Sequence, residues 1–256
     1  MTESATTQQQ KQFKILLIGD NCKDVYQYGT VDRISPEAPV PVFVPVRIEE
    51  HEGMAGNVAK NLEALGCHVN FLYMETSIKT RLIDMRSKQQ IVRIDNDIKS
   101  DPLTFDTAIP NVYDAIVISD YDKGTVTYSL IEELRKEFSG PIFVDTKKQD
   151  LKRFNGCFVK INELEYNRRT SLNDQLIVTL GEHGAIYKQG QAEVHQDAPK
   201  VEVSDVCGAG DTFLSALTYK YLETTNMNDA VAFAMRAASI TVQHVGVYAP
   251  RLEEIK

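Results

Sequence analysis

The chain has 256 residues, with 28 Lys+Arg against 36 Asp+Glu for a formal net charge of −8, and it is 43% hydrophobic and 25% charged. That balance is that of a globular chain able to bury a sizeable core, and its acidity opposes non-specific attraction to nucleic acid. No apolar run reaches the roughly 18 residues that span a bilayer, since even 230–247 carries Arg236, Gln243 and His244, so neither nucleic acid nor membrane is expected as a partner.

Residues 1–12 are polar and rich in Gln and Thr, without the apolar core of a signal peptide. They predict a disordered tail on a cytoplasmic protein. A short apolar run, FKILLIG over 13–19, ends on Gly19 and predicts a strand buried on both faces, central in a sheet. In VPVFVPV over 40–46, Pro41 and Pro45 remove ladder donors, so this extended segment belongs at an edge or in a separate small sheet. Apolar residues at Val58, Leu62 and Leu65 predict a helix within 53–65, opened by a glycine-rich turn and closed by Gly66.

Further strands are expected at 68–74, 89–95, 114–119, 141–145, 157–161 and 175–180, with an amphipathic helix over 127–138. Two last helices are expected, one after 208–211 and one over 228–244. Strands alternating with helices argue for a parallel sheet. No repeat, linker or composition shift divides the chain, which predicts one α/β domain over 13–256 with a small β appendage near 20–50 and 80–95. Cys22, Cys67, Cys157 and Cys207 are widely spaced with no C-x-x-C pair, which suggests reduced thiols and neither zinc nor disulfides.

The segment richest in chemistry is Asp205-Val206-Cys207-Gly208-Ala209-Gly210-Asp211. Glycines just before a helix let backbone N–H groups converge on an anion, and the helix dipole adds to the attraction. Asp211, in the first turn beside that anion site, suits a base for a hydroxyl; spacing alone reads it equally as a helix-stabilising acid. The P-loop pattern G-x-x-x-x-G-K-[ST] is absent and no G-x-G-x-x-G follows the first strand, which argues against P-loop kinases and Rossmann dehydrogenases.

The run from Asp205 to Asp211 resembles the C-terminal signature of the ribokinase, or PfkB-type, carbohydrate kinases, and Gly53-Met54-Ala55-Gly56-Asn57 resembles their N-terminal sugar-site motif. Within that family the run from Arg33 to Val42 is most similar to the branch that phosphorylates a heptose 7-phosphate at its anomeric oxygen. Gly19-Asp20 with Asp24, the run 89–95, Ser119-Asp120-Tyr121-Asp122-Lys123-Gly124 and Asn162-Glu163-Leu164-Glu165 match as well. The resemblance extends from about residue 13 to the C-terminus. It implies a three-layer α/β/α sandwich, a mostly parallel central sheet and a small, trimmed β lid.

The same resemblance implies ATP and Mg²⁺ as cofactors and a small sugar phosphate as acceptor. Asp211 would be the base, with the amides of Gly208, Ala209 and Gly210 receiving the phosphoryl group. Asp20, Asp24, Gly53, Asn57, Arg93, Asp120 and Lys123 would meet the substrate. Asn162, Glu165, Thr179, Gly181, Gly184 and Asp205 would serve the nucleotide, with Asn162 and Glu165 placing the metal. Each also has a plainer reading: Asn57 on a helix surface, Asp20 in a turn, Asn162 and Glu165 as a capping box, and Arg93 and Lys123 as surface cations. Arg33, Arg93 and Lys123 are the candidate partners for a phosphate already on the acceptor. Cys207 reads as a spacer beside a helix N-terminus.

Two departures stand out. Met54 occupies the place of a second glycine, and the chain is short between Met74 and Arg81 and between Tyr166 and Leu176, where relatives place further elements. A trimmed lid excludes water less well, which bears on activity and acceptor choice. Alternatives left open are a kinase for another small sugar or nucleoside and a non-catalytic binder retaining the fold. An apolar face bared by a missing helix predicts a homodimer.

Overall fold

The computed structural model describes residues 12–105, 112–189 and 192–255. The tail expected over 1–12 thus lies, except for Gln12, outside the described residues. In chain order the elements are β1 (Lys14–Gly19), β2 (Asn21–Ile34), β3 (Pro41–Met54), α1 (Ala55–Ala64), β4 (His68–Leu72), β5 (Thr76–Asp84), β6 (Gln90–Asn96) and β7 (Ala115–Asp120). There follow α2 (Tyr128–Glu137), β8 (Ile142–Thr146), β9 (Phe158–Asn162), α3 (Glu163–Arg168), β10 (Leu176–Thr179), β11 (Ala185–Gln189), β12 (Ala192–Gln196), α4 (Ala209–Thr224) and α5 (Met227–Thr241).

The main sheet runs β12-β11-β10-β9-β8-β7-β1-β4. Its ladders from β4 to β10 are parallel, and β11 and β12 close it with antiparallel pairs. The apolar runs behave as a parallel sheet requires, because alternate residues of one strand enter opposite layers. Ile15 and Leu17 pack with Val58, Leu62, Phe213, Leu214, Leu217 and Val231 of α1, α4 and α5. Leu16 and Ile18 pack with Leu130, Ile131 and Leu134 of α2 on the other face. This is the expected α/β/α sandwich. β1 is interior but lies one place from the edge, because β4 returns outside it.

Helix ends follow local chemistry. Thr127 caps α2 by accepting from the Leu130 amide at 3.1 Å, and Asn226 caps α5 by accepting from the Asn228 and Asp229 amides. The second sheet, β3-β2-β5-β6, is the lid. Its strands β2 and β3 are 14 residues each, longer than the proline-interrupted run suggested, and Pro41 and Pro45 sit on the edge strand. β5 begins at Thr76, so the link after Met74 is as brief as the spacing implied, and the strand fills what the sequence reading treated as connection. Between α3 and β10 the chain passes without a helix.

One predicted nucleotide residue belongs to the scaffold. Gly184 has φ 93° and ψ −136°, and a Cβ there would lie 2.0 Å from the Gln196 carbonyl oxygen and 2.9 Å from the Ala198 nitrogen. Its glycine is needed to seat β12 against the start of β11, and its carbonyl accepts from the Leu180 amide at 2.7 Å. Gly184→Ala is expected to destabilise the fold by about 3 kcal/mol through backbone strain and overlap, read as a lower urea midpoint.

Candidate functional site

The C-terminal ends of the parallel strands open onto a cleft of ≈ 500 Å³, where α/β sheets place their ligands. Asp145 of β8, Lys160 and Asn162 of β9 and Thr179 of β10 line it from the sheet, and Gly208, Gly210 and Asp211 line it from the start of α4. Gly208 is the N-cap of α4 at φ 77°, ψ −4°, a left-handed conformation that glycine adopts without strain. A Cβ on Gly208 would also lie 2.8 Å from the Asn57 amide nitrogen. Asp205 anchors the approach to this turn by accepting from the Cys207 amide at 3.0 Å and the Gly246 amide at 2.9 Å. Those bonds help hold its carboxyl below the usual range despite burial. Asp205 is thus a turn support.

Asp211 is 8% exposed and held at both oxygens. Asn57 Nδ2 donates to Oδ2 at 2.7 Å, and the Tyr121 hydroxyl donates to Oδ1 at 3.2 Å. Burial pushes the Asp211 carboxyl up to about 6, and the charge of Asp145 adds to the rise; Asn57, Lys160 and Tyr121 oppose it. Burial and the same carboxylate raise Tyr121 well above the usual phenol range, so its proton stays in place to donate. A fixed, desolvated carboxylate with a value near neutrality is suited to accept a proton from an alcohol.

The structure assigns several predicted residues to support of this centre. Asn57, read as a sugar ligand, spends its amide on Asp211, and Asn61 Nδ2 donates to the Asn57 carbonyl at 2.8 Å. Asp20, 1% exposed, accepts three backbone N–H groups, from Tyr121 and Lys123 on Oδ2 and from Thr125 on Oδ1. Its carboxylate shapes the turn that presents Tyr121 and is not free for a sugar. Asp120 is likewise buried, accepting from Thr146 Oγ1 at 2.6 Å, from the Asp122 amide and from Lys148 Nζ. Burial raises its carboxyl against the pull of Lys148. Lys123 Nζ meets Asp97 at 2.6 Å, tying the core to the segment beyond β6.

On the lid, Asp24 pairs with Arg81 and presses against Gly53, where a Cβ would fall 2.3 Å from Asp24 Oδ2. Met54 holds φ 50° and ψ −130°, the kind of backbone that the expected second glycine would adopt freely. Arg93 lies on the exposed edge strand and grips Asp95 through two bonds of 2.8 and 2.9 Å. Thr179 and Gly181 line the cleft. Asn162 and Glu165 form a reciprocal capping box on α3, and the second Glu165 oxygen pairs with Lys147.

Sequence reasoning missed Asp145, Lys147 and Lys160. Lys160 Nζ lies 2.7 Å from Asp145 Oδ2, and a Cβ on Gly210 would be 2.9 Å from that ammonium, which puts a buried positive charge beside the anion turn. The available signal was a lysine inside the apolar strand run CFVKI. Asp145 Oδ1 is buried with no hydrogen-bond partner among the described residues. An orphaned carboxylate oxygen in the cleft that Asn162 also lines suits a hard divalent cation. Among the described residues no three or more His, Cys, Asp or Glu cluster into a protein-only metal cage.

Comparison with known structures defines the fold class. A ribokinase of Thermotoga maritima superposes with TM-score 0.71 at 16% identity, covering 95% of this chain and 98% of that one. A nucleoside kinase of Methanocaldococcus jannaschii gives 0.65 at 17%, covering 96% and 97%. The fold is therefore ribokinase-like. The model of the pfkB family carbohydrate kinases matches residues 164–255. The bifunctional protein HldE of a Nitratiruptor species is 34% identical over 300 positions, covering 95% of this chain and 64% of that protein. HldE of Helicobacter pylori is 30% identical over 305, covering 94% and 66%. The chain is thus similar to pfkB-type, ribokinase-like carbohydrate kinases over the residues matched. The chain spans under two thirds of each of these curated relatives, and 300 aligned positions against 256 residues mean that the first relative carries segments this chain lacks.

Two outcomes follow from the buried carboxylate. Removing the Tyr121 donor should raise the Asp211 value, so the acid limb of any Asp211-dependent rate, near pH 6 in the wild type, moves to higher pH in Tyr121→Phe. A carboxyl raised on folding contributes stability that is present below its unfolded value and lost as pH rises through its folded value. The stability of Asp211→Asn relative to wild type should therefore increase by about 3 kcal/mol between about pH 4 and about pH 7 in denaturant titrations.

Proposed function

We propose that the chain is an ATP- and Mg²⁺-dependent carbohydrate kinase whose acceptor is a heptose 7-phosphate, phosphorylated at the anomeric oxygen. The observation that carries this reading is the doubly held Asp211, buried at the first turn of α4 beside the Gly208–Gly210 amides and opening on the strand-end cleft. ATP would lie over β9 and β10, with Thr179 and Gly181 along its phosphates. Asp145 and Asn162 are the residues that would hold the metal, which supplies charge neutralisation on the phosphate oxygens when bound. Asp211 takes the proton of the attacking hydroxyl, while the turn amides and Lys160 meet the negative charge of the moving phosphoryl group. HldE similarity supports the heptose branch.

The lid offers a surface for the expected homodimer. Cross-strand register puts Ile48, Val25, Leu82, Ile78, Val92 and Ile94 on one face. Ile48 and Ile94 are more than half exposed, at 58% and 54%. This face points away from the Asp24 and Arg81 side, and a second copy of the chain is its occupant in this reading. Apolar side chains are also exposed at the two shortened segments, Tyr73 and Met74 at one and Leu172 at the other.

Measuring ADP release with heptose 7-phosphate, ribose, fructose 6-phosphate and adenosine tests the acceptor: heptose 7-phosphate is expected to give the highest kcat/KM, and a preference for another acceptor reassigns the substrate. Asp211→Asn should lower kcat by about 1,000-fold with nucleotide affinity retained. Sedimentation at micromolar concentration should show a dimer that Ile94→Asp dissociates; a wild-type monomer would count against the lid interface.

A further inference from the structure

The other face of the lid has a composition that the roles assigned so far leave unused. Register places Glu49, Tyr26, Arg81 and Arg93 in one row across the four strands, and His51, Asp24, Lys79 and Asp95 in the next. Two arginines are therefore cross-strand partners on β5 and β6, an arrangement that is unfavourable unless anions compensate it. Arg93 is satisfied by Asp95 on an exposed strand. Arg81 differs: its side chain is 17% exposed, its guanidinium carbon lies 5.1 Å from the centre of the Tyr26 ring, and its hydrogen bond to Asp24 goes through Nη1.

A guanidinium offers five N–H donors in a fixed fork, so the Asp24 contact leaves a planar edge for a second anion. The place of that edge is marked from two sides. Asp24 lies against Gly53, and Arg81 and Asp24 are both close enough to Cys207, the residue before Gly208, to act on its thiol electrostatically. Arg81 is thus tied to the Gly53 motif through the Asp24 carboxylate that both touch. The lysines of the cleft, Lys147 and Lys160, are both committed to carboxylates on the nucleotide side. A neutral sugar between Asp24 and Asp211 would need no cation, whereas a sugar that already carries a phosphate dianion does.

We infer that Arg81, with Arg93 beside it, is the specificity-determining cation that holds the phosphate already present on the acceptor, so that the lid selects phosphorylated over unphosphorylated sugars. This rests on the kinase reading above. Arg33 and Lys123, considered from sequence, do not share the row: Arg33 falls near the end of β2, beyond it, and Lys123 is spent on Asp97. Asp24 acts as the holding partner that keeps the fork oriented while the acceptor is absent.

The test compares heptose 7-phosphate with the same heptose lacking phosphate, in wild type, Arg81→Gln and Arg81→Lys. Thermal unfolding confirms that each variant is folded, and Asp24→Asn combined with Arg81→Gln serves if the single change leaves Asp24 unpaired and destabilising. The preference for the phosphorylated sugar, as a ratio of kcat/KM values, should contract by about 100-fold in Arg81→Gln. Arg81→Lys should recover only part of it, since a point charge replaces the fork. The calorimetric Kd of heptose 7-phosphate should weaken by the same factor. An unchanged ratio, equal losses for both sugars, or a matching rise in KM for ATP would overturn the assignment. A wild type that phosphorylates neither sugar would instead remove the kinase reading itself, which separates the two failures.

Discussion

A hydrogen bond of 2.7 Å between Asn57 and Asp211, residues 154 apart in the chain, is the constraint around which the site is arranged. It joins the start of α1 to the start of α4, so the carboxylate cannot turn away from the amides of its own helix. The bond continues into a buried polar ladder. Thr212 donates to Asn61 at 2.8 Å, Thr241 to Thr212 at 2.9 Å, and Ser215 reaches the Val58 carbonyl at 3.2 Å. Such groups are expensive to bury unpaired, and here each one's partner lies on a neighbouring helix, so the three helices are fixed in relative position. The result is a rigid floor under a charge that the interior would otherwise neutralise.

Around that floor the cleft carries opposite charges in close array. Asp145 and Lys160 form a buried pair beside the turn, and Lys147 with Glu165 forms a second at its rim. Buried pairs contribute little net stability, because desolvation offsets attraction. Their value is positional: they hold a positive charge beside the Gly208–Gly210 turn without an ammonium that collapses onto Asp211. The lid adds a second division of labour. One face carries most of its exposed aliphatic side chains, interspersed with Lys23, Glu50 and Glu52, and the other is charged and aromatic, since a strand alternates sides at every residue.

The sequence made some of this legible and hid the rest for identifiable reasons. Apolar runs such as ILLIG and AIVIS announce strands buried on both faces, and the glycine-rich segment before α4 announces an anion turn. β2 and β5 were hard to read because a lid strand with two working faces shows no clean apolar alternation. The resemblance implied substrate roles for Asp20 and Asp120, while the residues alone allowed Asp20 a place in a turn; surrounding backbone amides bond both, and Lys148 pairs with Asp120.

What the sequence determined by itself was the set of elements that local chemistry specifies: parallel core strands, capped helices, the left-handed glycine turn and the acid that follows it. Those depend on residues a few positions apart, where side-chain volume, backbone freedom and hydrogen-bonding groups act directly. The tertiary structure alone decided which acid is buried and held at both oxygens in the cleft and which ties a turn. It also decided that Asn57 grips Asp211, that Lys160 enters the cleft and that Arg81 meets Asp24. Burial and partnership depend on segments far apart in the chain, and pairing of that kind leaves no trace in spacing.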